Sequence, residues 1–320
     1  MKISILLPFR NAAPWIEETV RSISNQTYEN WELIAINDHS EDETPEIIRG
    51  FKDSRIRTYE NIGEGIIPAL QTGLNTASGD FITRMDADDL MPKDKLEVLL
   101  NAAKDGRYIV TGKVNYFSDT EVSEGYRKYE HWLNQRINQN DHFDHIYREC
   151  VVASPNWLVP AKFLREDRIF SQLNYPEDYD MTFLWRKYGY EIISVHQVTH
   201  LWREHPDRTS RNSDVYDQAS FFQLKLDWFK RSEAGKSVGV FGTGPKGKIV
   251  VEHVQNDFDI SWFDHEHHRY NAPINGLAIQ DPETCNCDLL LLAVYPKNKT
   301  RLENLVTRLG YKFGTTVWYV

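Results

Sequence analysis

Short apolar runs alternate with amphipathic segments through the first part of the chain, and this alternation limits the possible fold more than any other feature. Apolar runs of strand length lie at 3–7, 33–36, 56–59 and 81–85, and helical patterns lie at 13–25, 45–51 and 66–77. Strands that alternate with helices form βαβ units, whose strands run parallel. We therefore predict an α/β fold with a mainly parallel sheet flanked by helices.

The ends of these strands indicate where a ligand binds. Because βαβ crossovers are right-handed, the carboxyl ends of the strands gather at one edge of the sheet. Ligands of open α/β sheets bind in the crevice at that edge. Polar residues that directly follow a strand are therefore the first candidates for a functional site.

The most informative strand end is the sequence Met85-Asp86-Ala87-Asp88-Asp89, after the fourth predicted strand. Its three carboxylates repel one another, so a cation or hydrogen bonds must offset that repulsion. In an extended segment Asp86 and Asp88 point the same way, and both can face one ion. Mg²⁺ or Mn²⁺ suits such a site, because it takes one or two carboxylates and fills its other positions with diphosphate oxygens and water. The alternative is a solvated acidic turn that caps the next helix.

A second candidate follows the second predicted strand, in the sequence Asn37-Asp38-His39-Ser40. Asp38 would lie at the same edge of the sheet, where it could accept a hydrogen bond from a base or a ribose. The alternative is a cluster that caps a helix over 42–50, for which Ser40 and Asp42 are well suited.

A third acidic segment lies at 176–180, at the start of a helix predicted over 177–187. The helix dipole alone favours acidic residues in this position. The sharper interpretation makes Asp178 a general base that takes a proton from an attacking hydroxyl.

The charge balance bears on the partners of the chain. Lys and Arg number 37 and Asp and Glu 47, so the net charge is −10. The excess lies in residues 1–235, since residues 236–320 hold nine of each sign. A chain this acidic, with no basic stripe, is not expected to bind nucleic acid. A nucleotide can still bind where a divalent cation stands between the carboxylates and the phosphates.

A chain of 320 residues is long enough for two domains. A long helix predicted over 214–232 leads into a short linker at 233–236, after which a new strand–helix pattern begins. We therefore predict one domain at 1–235 and a small Rossmann-like α/β domain at 236–320.

The second domain carries a glycine pattern of its own. Gly242, Gly244 and Gly247 form a Gly-x-Gly-x-x-Gly turn between a predicted strand and helix, and Asp264 ends the next strand. A dinucleotide-binding fold places its ribose-binding acid at this point. A nucleotide is therefore one expected ligand, and the alternative is a module that keeps its glycines only for tight helix–strand packing.

Cysteine content and hydropathy suggest a compartment. The chain has three cysteines and no apolar stretch of the roughly 20 residues that cross a membrane. We see no secretion signal at the N-terminus. So few cysteines favour a reducing environment. We expect a cytoplasmic protein.

Taken together, these segments resemble family 2 of the glycosyltransferases, the large inverting group with the GT-A fold. The resemblance covers about residues 2–215. It is carried by Ile-Ser-Ile-Leu-Leu-Pro-Phe-Arg-Asn at 3–11, by 22–28 and 61–63, and by Ala-Ser-Gly-Asp-Phe-Ile-Thr-Arg-Met-Asp-Ala-Asp-Asp at 77–89. The family usually has Asp-Asp-Gly-Ser where this chain has Asn-Asp-His-Ser at 37–40, so Asp38 matches the second Asp.

The resemblance implies a role for each matching residue. The residues that would line the site of the donor nucleotide are Pro8, Arg10, Asn11, Asp38, Arg84, Asp86 and Ala87. Asp88 would be the main metal ligand, with Asp86 touching the ribose or a metal-bound water. Asp178, which matches the family's Glu-Asp pair, would be the catalytic base.

The segment 202–210 is similar to the mobile loop that closes over the diphosphate in many relatives. Arg203 and Arg208 would then pair with phosphate oxygens. His205 would add a metal contact. The alternative is an ordinary polar surface loop.

The implied function is an inverting transfer of a sugar from a nucleotide-diphosphate donor, most often UDP-linked, to a hydroxyl of a glycan or lipid-linked acceptor. Mn²⁺ or Mg²⁺ would neutralise the charge of the leaving diphosphate. A lipid-linked acceptor would be met by peripheral association at the inner face of the membrane. Two other classes stay open: a non-catalytic sugar-nucleotide-binding protein, and a bifunctional enzyme whose C-terminal unit performs redox chemistry.

Overall fold

The structure, a computed structural model, describes residues 1–294 and 299–320. It divides the chain into two units. Unit 1 comprises Met1–His142 and Val151–Ser213, and unit 2 comprises Phe143–Cys150 and Asp214–Val320. The main division therefore follows residue 213, whereas the linker pattern predicted a boundary after residue 235.

Unit 1 is built on a seven-stranded sheet. Its strands are β1 (Ile3–Phe9), β2 (Trp31–Asn37), β3 (Ile56–Glu60), β4 (Phe81–Arg84), β5 (Tyr108–Phe117), β6 (Leu158–Pro160) and β7 (Glu191–Arg203). Their order across the sheet is β3-β2-β1-β4-β6-β5-β7. β6 runs antiparallel to β4 and β5, and the other pairs are parallel. The predicted mainly parallel sheet is confirmed.

Helices connect the strands of unit 1. They are α1 (Ile16–Ser24), α2 (Thr44–Gly50), α3 (Ile66–Thr76), α4 (Lys95–Asn101), α5 (Glu124–Gln139), α6 (Ala161–Glu166), α7 (Glu177–Lys187) and α8 (Thr209–Asn212). In α1 the apolar residues Ile16, Val20 and Ile23 recur at helical spacing, and all three are fully buried. Each such side chain contributes roughly 1.5–3 kcal/mol when it leaves water, which holds the helix against the sheet.

The register of the central strands brings their carboxyl ends to one edge of the sheet. β1 and β2 pair in parallel up to Phe9 and Asn37, and β1 and β4 pair up to Leu6 and Arg84. Every residue of these three strands is buried. The segments that follow β2 and β4 therefore leave the core at the same edge, as the handedness of the crossovers predicted.

The last strand of unit 1, β7, differs most from the prediction. The apolar residues at 191–195 indicate a strand. In the structure this strand continues as β7 to Arg203, and it pairs in parallel with β5. Residues 196–198 are exposed beside a register shift at Gly112 and Lys113. This polar interruption hides the second half of the strand from a reading of hydrophobic runs.

Unit 2 has a five-stranded sheet of its own. Its strands are β8 (Ser237–Phe241), β9 (Asp259–Phe263), β10 (Ile279–Gln280), β11 (Leu289–Leu292) and β12 (Val317–Tyr319), and its helices are α9 (Gln218–Ser232), α10 (Pro245–Val254) and α11 (Lys299–Arg308). The strands lie in the order β10-β9-β8-β11-β12, and each pair is parallel. This is the order 3-2-1-4-5 found in doubly wound dinucleotide-binding sheets.

Aromatic packing explains why α9 belongs to unit 2. Phe229 of α9 is fully buried, with its ring centroid 5.4 Å from that of Tyr147 and 6.2 Å from that of Trp318. Tyr147 lies in the segment 143–150, which also belongs to unit 2. The linker pattern marks a break in the chain, but it carries no information about which core the preceding helix joins.

The helices also bear on membrane contact. The longest of those described, α5, has 16 residues. A membrane-spanning helix needs about 20 predominantly apolar residues. In the part of the chain that the structure describes, no helix combines the length and the apolar character needed to cross a bilayer.

Candidate active site

The acidic residues after β4 form a turn at the carboxyl edge of the unit 1 sheet, and we call residues 86–89 the acidic turn. The chain turns at Ala87 and Asp88, so the extended alternation that we predicted is wrong. Asp86 Oδ1 accepts a hydrogen bond from Arg84 Nε at 2.8 Å, and Asp88 Oδ2 lies 2.9 Å from His205 Nε2. α4 begins beyond the turn and is not capped by it, so the helix-cap alternative is also excluded.

Burial and mutual repulsion shift the acidity of these carboxylates. Burial, with a contribution from Asp88, raises the pKa of Asp86 against the charge of Arg84. Burial also acts to raise the pKa of Asp88, but the hydrogen bond to His205 and the charge of Arg208 outweigh it, and the pKa is lowered. Asp88 therefore stays ionised more readily than Asp86, as a metal ligand requires.

Asp89, the last residue of the acidic turn, is buried in the protein. Its Oδ1 accepts from the backbone N–H of Arg203 at 2.8 Å, and its Oδ2 lies 2.9 Å from His200 Nε2. Burial and Asp88 raise the pKa of Asp89 well above its ordinary range. Burial also holds the pKa of His200 well below its usual value. A neutral imidazole, rather than an imidazolium, therefore faces Asp89.

A buried lysine takes part in the charge balance of the acidic turn. Lys95 is fully buried, and its Nζ donates to the carbonyl oxygen of Pro155 at 2.8 Å. Burial lowers its pKa to about 7, although Asp89 and Asp86 favour the charged form. No sequence pattern pointed to Lys95, because a lysine at a helix start is ordinarily exposed.

Arg84 links the acidic turn to the start of α7. Its Nη1 donates to Glu177 Oε1 at 3.0 Å, while its Nε donates to Asp86, and both Arg84 and Glu177 are buried. This bridge holds the adjacent Asp178 close enough to Asp86 for the two carboxyl groups to interact electrostatically. Glu177 was not among the predicted site residues, although its place in the family's Glu-Asp pair was an available signal.

Asp178 has the acidity of a base that works near neutral pH. Burial and the charge of Glu177 raise its pKa to about 7, in spite of the opposing charge of Arg84. Its Oδ1 accepts from the N–H of Tyr179 at 2.8 Å. The residue as a whole is partly buried. A proton acceptor is most effective when its pKa lies near the working pH.

Arg203 belongs to β7 and not to the loop that we predicted from residue 202. Its Nε donates to the carbonyl oxygen of Asp88 at 2.8 Å, and its Nη2 donates to Glu18 of α1 at 2.6 Å. The side chain is buried. Its hydrogen bonds therefore support the acidic turn, and the contacts to phosphate oxygens stay a prediction.

Arg208 lies beyond β7, in the predicted loop. Its guanidinium is 5.2 to 5.9 Å from the ring centroids of Trp202, Tyr126 and Tyr116. Burial acts to lower its pKa, but Asp89 and other neighbours outweigh burial and raise it. The aromatic rings thus hold a permanent positive charge near the acidic turn.

Asp88 and His205 fit the ligand set of a divalent cation. Their facing atoms are 2.9 Å apart, close to the separation of about 3 Å between adjacent ligands of an octahedral ion. His205 packs on Trp15 with ring centroids 3.9 Å apart, and its Nδ1 is buried without a hydrogen-bond partner. Within residues 1–294 and 299–320, no three His, Cys, Asp or Glu side chains are grouped to hold an ion. Mg²⁺ and Mn²⁺ often bind through one or two protein ligands and phosphate oxygens.

Two residues predicted at the nucleotide site hold loops together. Asp38 is buried, and its Oδ1 accepts from Asn61 Nδ2 at 2.6 Å and from the N–H of Gly65 at 3.0 Å. Asn11 has a left-handed backbone with φ 49°, and its Oδ1 accepts from the N–H of Glu41 at 2.8 Å. The loops after β1, β2 and β3 are therefore fixed at the sheet edge by these two side chains.

The helix-cap alternative for the segment 37–40 is not borne out, because α2 has no side-chain hydrogen bond at its N-cap, Glu43. Asp42 Oδ1 accepts from the N–H of Thr44 at 3.0 Å, where α2 begins. Ser40 Oγ accepts from the backbone of the loop after β1 at 3.1 Å. Asp38 instead bonds the loop after β3, as described above.

Three further residues predicted at the nucleotide site lie in different settings. Pro8 is buried within β1. Arg10 is exposed, with its Nη1 3.6 Å from Glu64 Oε1. The carbonyl oxygen of Ala87 accepts from the hydroxyl of Thr19 in α1 at 3.0 Å. Of the three, Arg10 presents its side chain to solvent at the sheet edge.

The glycine-rich turn of unit 2 follows β8 and opens α10, as predicted. A Cβ on Gly247 would lie 1.9 Å from the carbonyl oxygen of Gly242, and Gly242 itself has φ 107°. Packing and backbone conformation therefore require both glycines. A Cβ on Gly244 would meet no atom within 4 Å. Packing therefore does not explain the glycine at position 244.

Asp264 lies where a ribose-binding acid is expected, but the protein already engages its carboxylate. Its Oδ2 accepts from the N–H of Thr243 at 3.0 Å and from the Thr243 hydroxyl at 2.6 Å. Its Oδ1 accepts from the N–H of Glu266 at 2.9 Å. Asp264 therefore holds the glycine-rich turn in place, which favours the packing interpretation of unit 2 over a nucleotide site.

The residues predicted in unit 1 thus fall into two groups. One group surrounds the acidic turn and consists of Arg84, Asp86, Asp88, Asp178, Arg203, His205 and Arg208. The other consists of Arg10, Asn11 and Asp38, in or beside the loops after β1 and β2. Sequence reasoning missed Glu177, Lys95 and His200. Glu177 adjoins Asp178, whereas the hydrogen bond of His200 to Asp89 and that of Lys95 to Pro155 join distant segments.

Known proteins resemble this chain in sequence. The family model described as Glycosyl transferase family 2 matches residues 4–166. An uncharacterized glycosyltransferase of Rickettsia bellii is 30% identical over 182 residues, which cover 55% of this chain and 25% of that protein. The UDP-Glc:alpha-D-GlcNAc-diphosphoundecaprenol beta-1,3-glucosyltransferase WfgD of Escherichia coli is 39% identical over 100 residues, 31% of this chain and 40% of that protein. The chain therefore spans well under half the length of these two relatives.

A solved structure has the same fold. The mannosyltransferase PcManGT from Pyrobaculum calidifontis, in complex with GDP-Man and Mn²⁺, has a TM-score of 0.54 and 20% sequence identity. The match covers 78% of this chain and 68% of that chain. At this level of identity the likeness concerns the fold alone. It confirms the GT-A fold that the sequence resemblance implied.

Proposed function

The chain belongs to glycosyl transferase family 2, and on that premise we propose that it transfers a sugar from a nucleoside-diphosphate donor to an acceptor hydroxyl, with inversion at the anomeric carbon. The observation that supports this proposal is the Arg84 bridge. Arg84 binds Asp86 at 2.8 Å and Glu177 at 3.0 Å, and so keeps Asp178 beside the acidic turn. A single displacement needs a base for the incoming hydroxyl and positive charge for the leaving diphosphate at one place.

Asp178 is the base in this proposal. With a pKa of about 7, a large fraction of Asp178 is ionised at neutral pH and can take the proton of the attacking hydroxyl. Glu177 contributes by repelling that carboxylate and by fixing Arg84. A single base opposite the leaving group is sufficient for inversion, so the reaction needs no covalent intermediate on the protein.

Asp88 and His205 would hold the divalent cation, Mn²⁺ or Mg²⁺, with Asp86 nearby. When bound, the ion would neutralise the charge that the diphosphate gains as the glycosyl bond breaks. Before an ion binds, His205 and Arg208 keep Asp88 ionised, and the His205 ring packs on Trp15. On binding the ion, His205 Nε2 would give up its hydrogen bond to Asp88. The complex of PcManGT with GDP-Man and Mn²⁺ supports the assignment of a cation to this fold.

Arg10, Asn11 and Asp38 would bind the nucleoside of the donor, with Pro8 nearby in the chain and Ala87 in the acidic turn. Asp38 is buried and held by two hydrogen bonds, so its carboxylate is oriented in advance for a ribose or base contact. Arg10 adds an exposed positive charge at the same edge. The name of the Escherichia coli relative specifies UDP-Glc and supports uridine as the base.

The acceptor would be a hydroxyl of a glycan or of a lipid-linked sugar. The same relative is named for a diphosphoundecaprenol-linked acceptor and for a β-1,3 product. A β product is what inversion gives from an α-linked nucleotide sugar. An acceptor of this kind would bring the protein to the membrane surface.

A panel of UDP- and GDP-sugars with MnCl₂ tests the proposal through the release of nucleoside diphosphate. We expect release from a subset of the donors, loss of that release in EDTA, and recovery when Mn²⁺ is added. Asp105→Asn changes an exposed carboxylate outside the site and should behave like the wild type. A protein that neither releases nor binds UDP or GDP under these conditions would contradict the proposed function.

A further inference from the structure

Asp89 and its neighbours fasten the acidic turn to the end of β7. Leu90 and Leu201 form an antiparallel bridge, with each N–H donating to the other's carbonyl oxygen at 3.0 Å. Beside this bridge, Asp89 bonds the N–H of Arg203 at 2.8 Å and His200 Nε2 at 2.9 Å. The turn and residues 200–203 are therefore held in one register.

This register determines where His205 lies. The chain runs from Arg203 to His205 through a single intervening residue, and a slip of one residue in an extended segment turns each side chain to the opposite face. The distance of 2.9 Å between His205 Nε2 and Asp88 Oδ2 depends on that register. The two candidate metal ligands thus come from segments joined through Asp89.

Asp89 and His200 act on this register from inside the protein. The exposed fraction is 1% for Asp89 and 0% for His200, so neither side chain can reach a substrate. His200 Nδ1 is buried without a hydrogen-bond partner, which makes Nε2 the nitrogen that binds. A leucine would fill similar space without an unpaired buried nitrogen. The bond to Asp89 is therefore the property that requires histidine at this position.

We infer that Asp89 and His200 are positioning residues, which set the register between the acidic turn and β7 and thereby hold His205 at ligand distance from Asp88. Their predicted effect is on the affinity for the divalent cation. This inference rests on the proposed role of Asp88 and His205 as metal ligands. It adds to that role a pair that never touches the ion.

Titration of the full chain with MnCl₂ in the presence of UDP, followed by electron paramagnetic resonance of free Mn²⁺, measures this affinity directly. His200→Leu should weaken Mn²⁺ binding by about tenfold or more, as changes behind metal ligands commonly do. His200→Gln keeps an N–H donor toward Asp89 and should recover most of the affinity. Equal Mn²⁺ affinity in the wild type and in folded His200→Leu would overturn the inference.

A double-mutant cycle separates positioning from a general loss of stability. His205→Ala should itself weaken Mn²⁺ binding, and adding His200→Leu to it should cause little further loss, because His200 acts through His205. Losses that multiply in the double variant would contradict the inference. Thermal unfolding of each variant establishes that the protein titrated is folded.

Asp89→Asn provides the same test if His200→Leu does not fold. It keeps an acceptor for the Arg203 N–H but can place an amide N–H opposite the donor of His200, so Mn²⁺ affinity should fall in the presence of His205 and not in the His205→Ala background. Unchanged Mn²⁺ affinity in Asp89→Asn would overturn this inference but not the proposed metal role of Asp88 and His205. A wild-type protein that binds no Mn²⁺ with UDP would overturn the metal role of Asp88 as well.

Discussion

The acidic turn after β4 and the glycine-rich turn after β8 both follow a central parallel strand, yet their acids have different surroundings. Asp88 interacts with the ionisable side chains of His205 and Arg208, both on the segment that follows β7. Asp264 accepts hydrogen bonds from two backbone N–H groups and a hydroxyl close to its own turn. The two strand-end acids therefore differ: Asp88 faces groups that can carry charge, whereas neutral groups satisfy Asp264.

Two glycines of unit 2 also have a purely structural explanation. Gly242 and Gly247 are required by backbone conformation and by a contact that any Cβ would violate. Their pattern therefore persists for structural reasons whether or not a nucleotide binds. In the acidic turn, by contrast, Asp89 is buried and Asp86 and Asp88 are partly buried. This burial has no packing explanation, because it raises the pKa of Asp86 and of Asp89.

The same chemical change, Asp to Asn, should lower turnover in unit 1 and leave it unchanged in unit 2. Asp178→Asn removes the proposed base and should lower kcat by about 100- to 10,000-fold, the usual contribution of a general base. UDP affinity should stay near the wild-type value. Asp264→Asn should leave kcat unchanged. A wild-type kcat in Asp178→Asn would contradict the role of Asp178 as the base.

The pH dependence of transfer follows from the pKa of Asp178. The base acts when ionised, so kcat/KM should fall about tenfold per pH unit below about 7 and level off above it. The falling limb should disappear in Asp178→Asn, whose residual rate has no such group to titrate. A wild-type profile that stays flat from pH 5 to 8, measured at saturating Mn²⁺, would argue against Asp178 as the base.

A pair of serine substitutions sharpens the account of unit 2. Gly247→Ser drives its Cβ into a backbone carbonyl and should destabilise the protein by about 1–3 kcal/mol in urea unfolding. Gly244→Ser enters open space at the N-cap of α10, where serine is favoured, and should change stability by a few tenths of a kcal/mol. Calorimetric titration of the wild type and of Gly244→Ser with NAD and with UDP tests the alternative, that the glycine-rich turn binds a nucleotide. If the wild type binds NAD or UDP and this stable variant does not, the turn is a nucleotide-binding site.

The smallest predicted effect concerns stability. The pKa of Asp178 is about 7 in the folded protein and about 4 in the unfolded chain. The wild type should therefore lose stability as the pH rises from about 4 to about 7. Asp178→Asn does not titrate, and its stability relative to the wild type should be greater at pH 8 than at pH 4. Urea midpoints at the two pH values measure the difference, and an unchanged or reversed difference would show that the pKa is not raised in the folded state.

Much of the fold could be predicted from the sequence because strong local patterns specify it. The apolar runs that became β1, β2 and β4 are buried throughout, and the acids that follow them lie at the expected edge. β5 and the second half of β7 were missed, since polar residues at a register shift interrupt their pattern.

The candidate site was predictable in its motifs but not in its contacts. Asp86, Asp88, Asp178 and His205 stood out by residue type and position. The bonds between Arg84 and Glu177 and between Asp89 and His200 join residues 93 and 111 positions apart. No local pattern records such pairs, and the pKa of a carboxylate depends on them. The bond between Thr243 and Asp264 was hidden for the same reason.

The most direct measurement is anomalous diffraction from crystals grown with MnCl₂ and UDP. The account predicts a manganese peak bound by Asp88 and His205, with the diphosphate on the same ion and the nucleoside toward Asp38. A structure with UDP bound and no ion at the acidic turn, or with the nucleotide on residues 242–247, would contradict it.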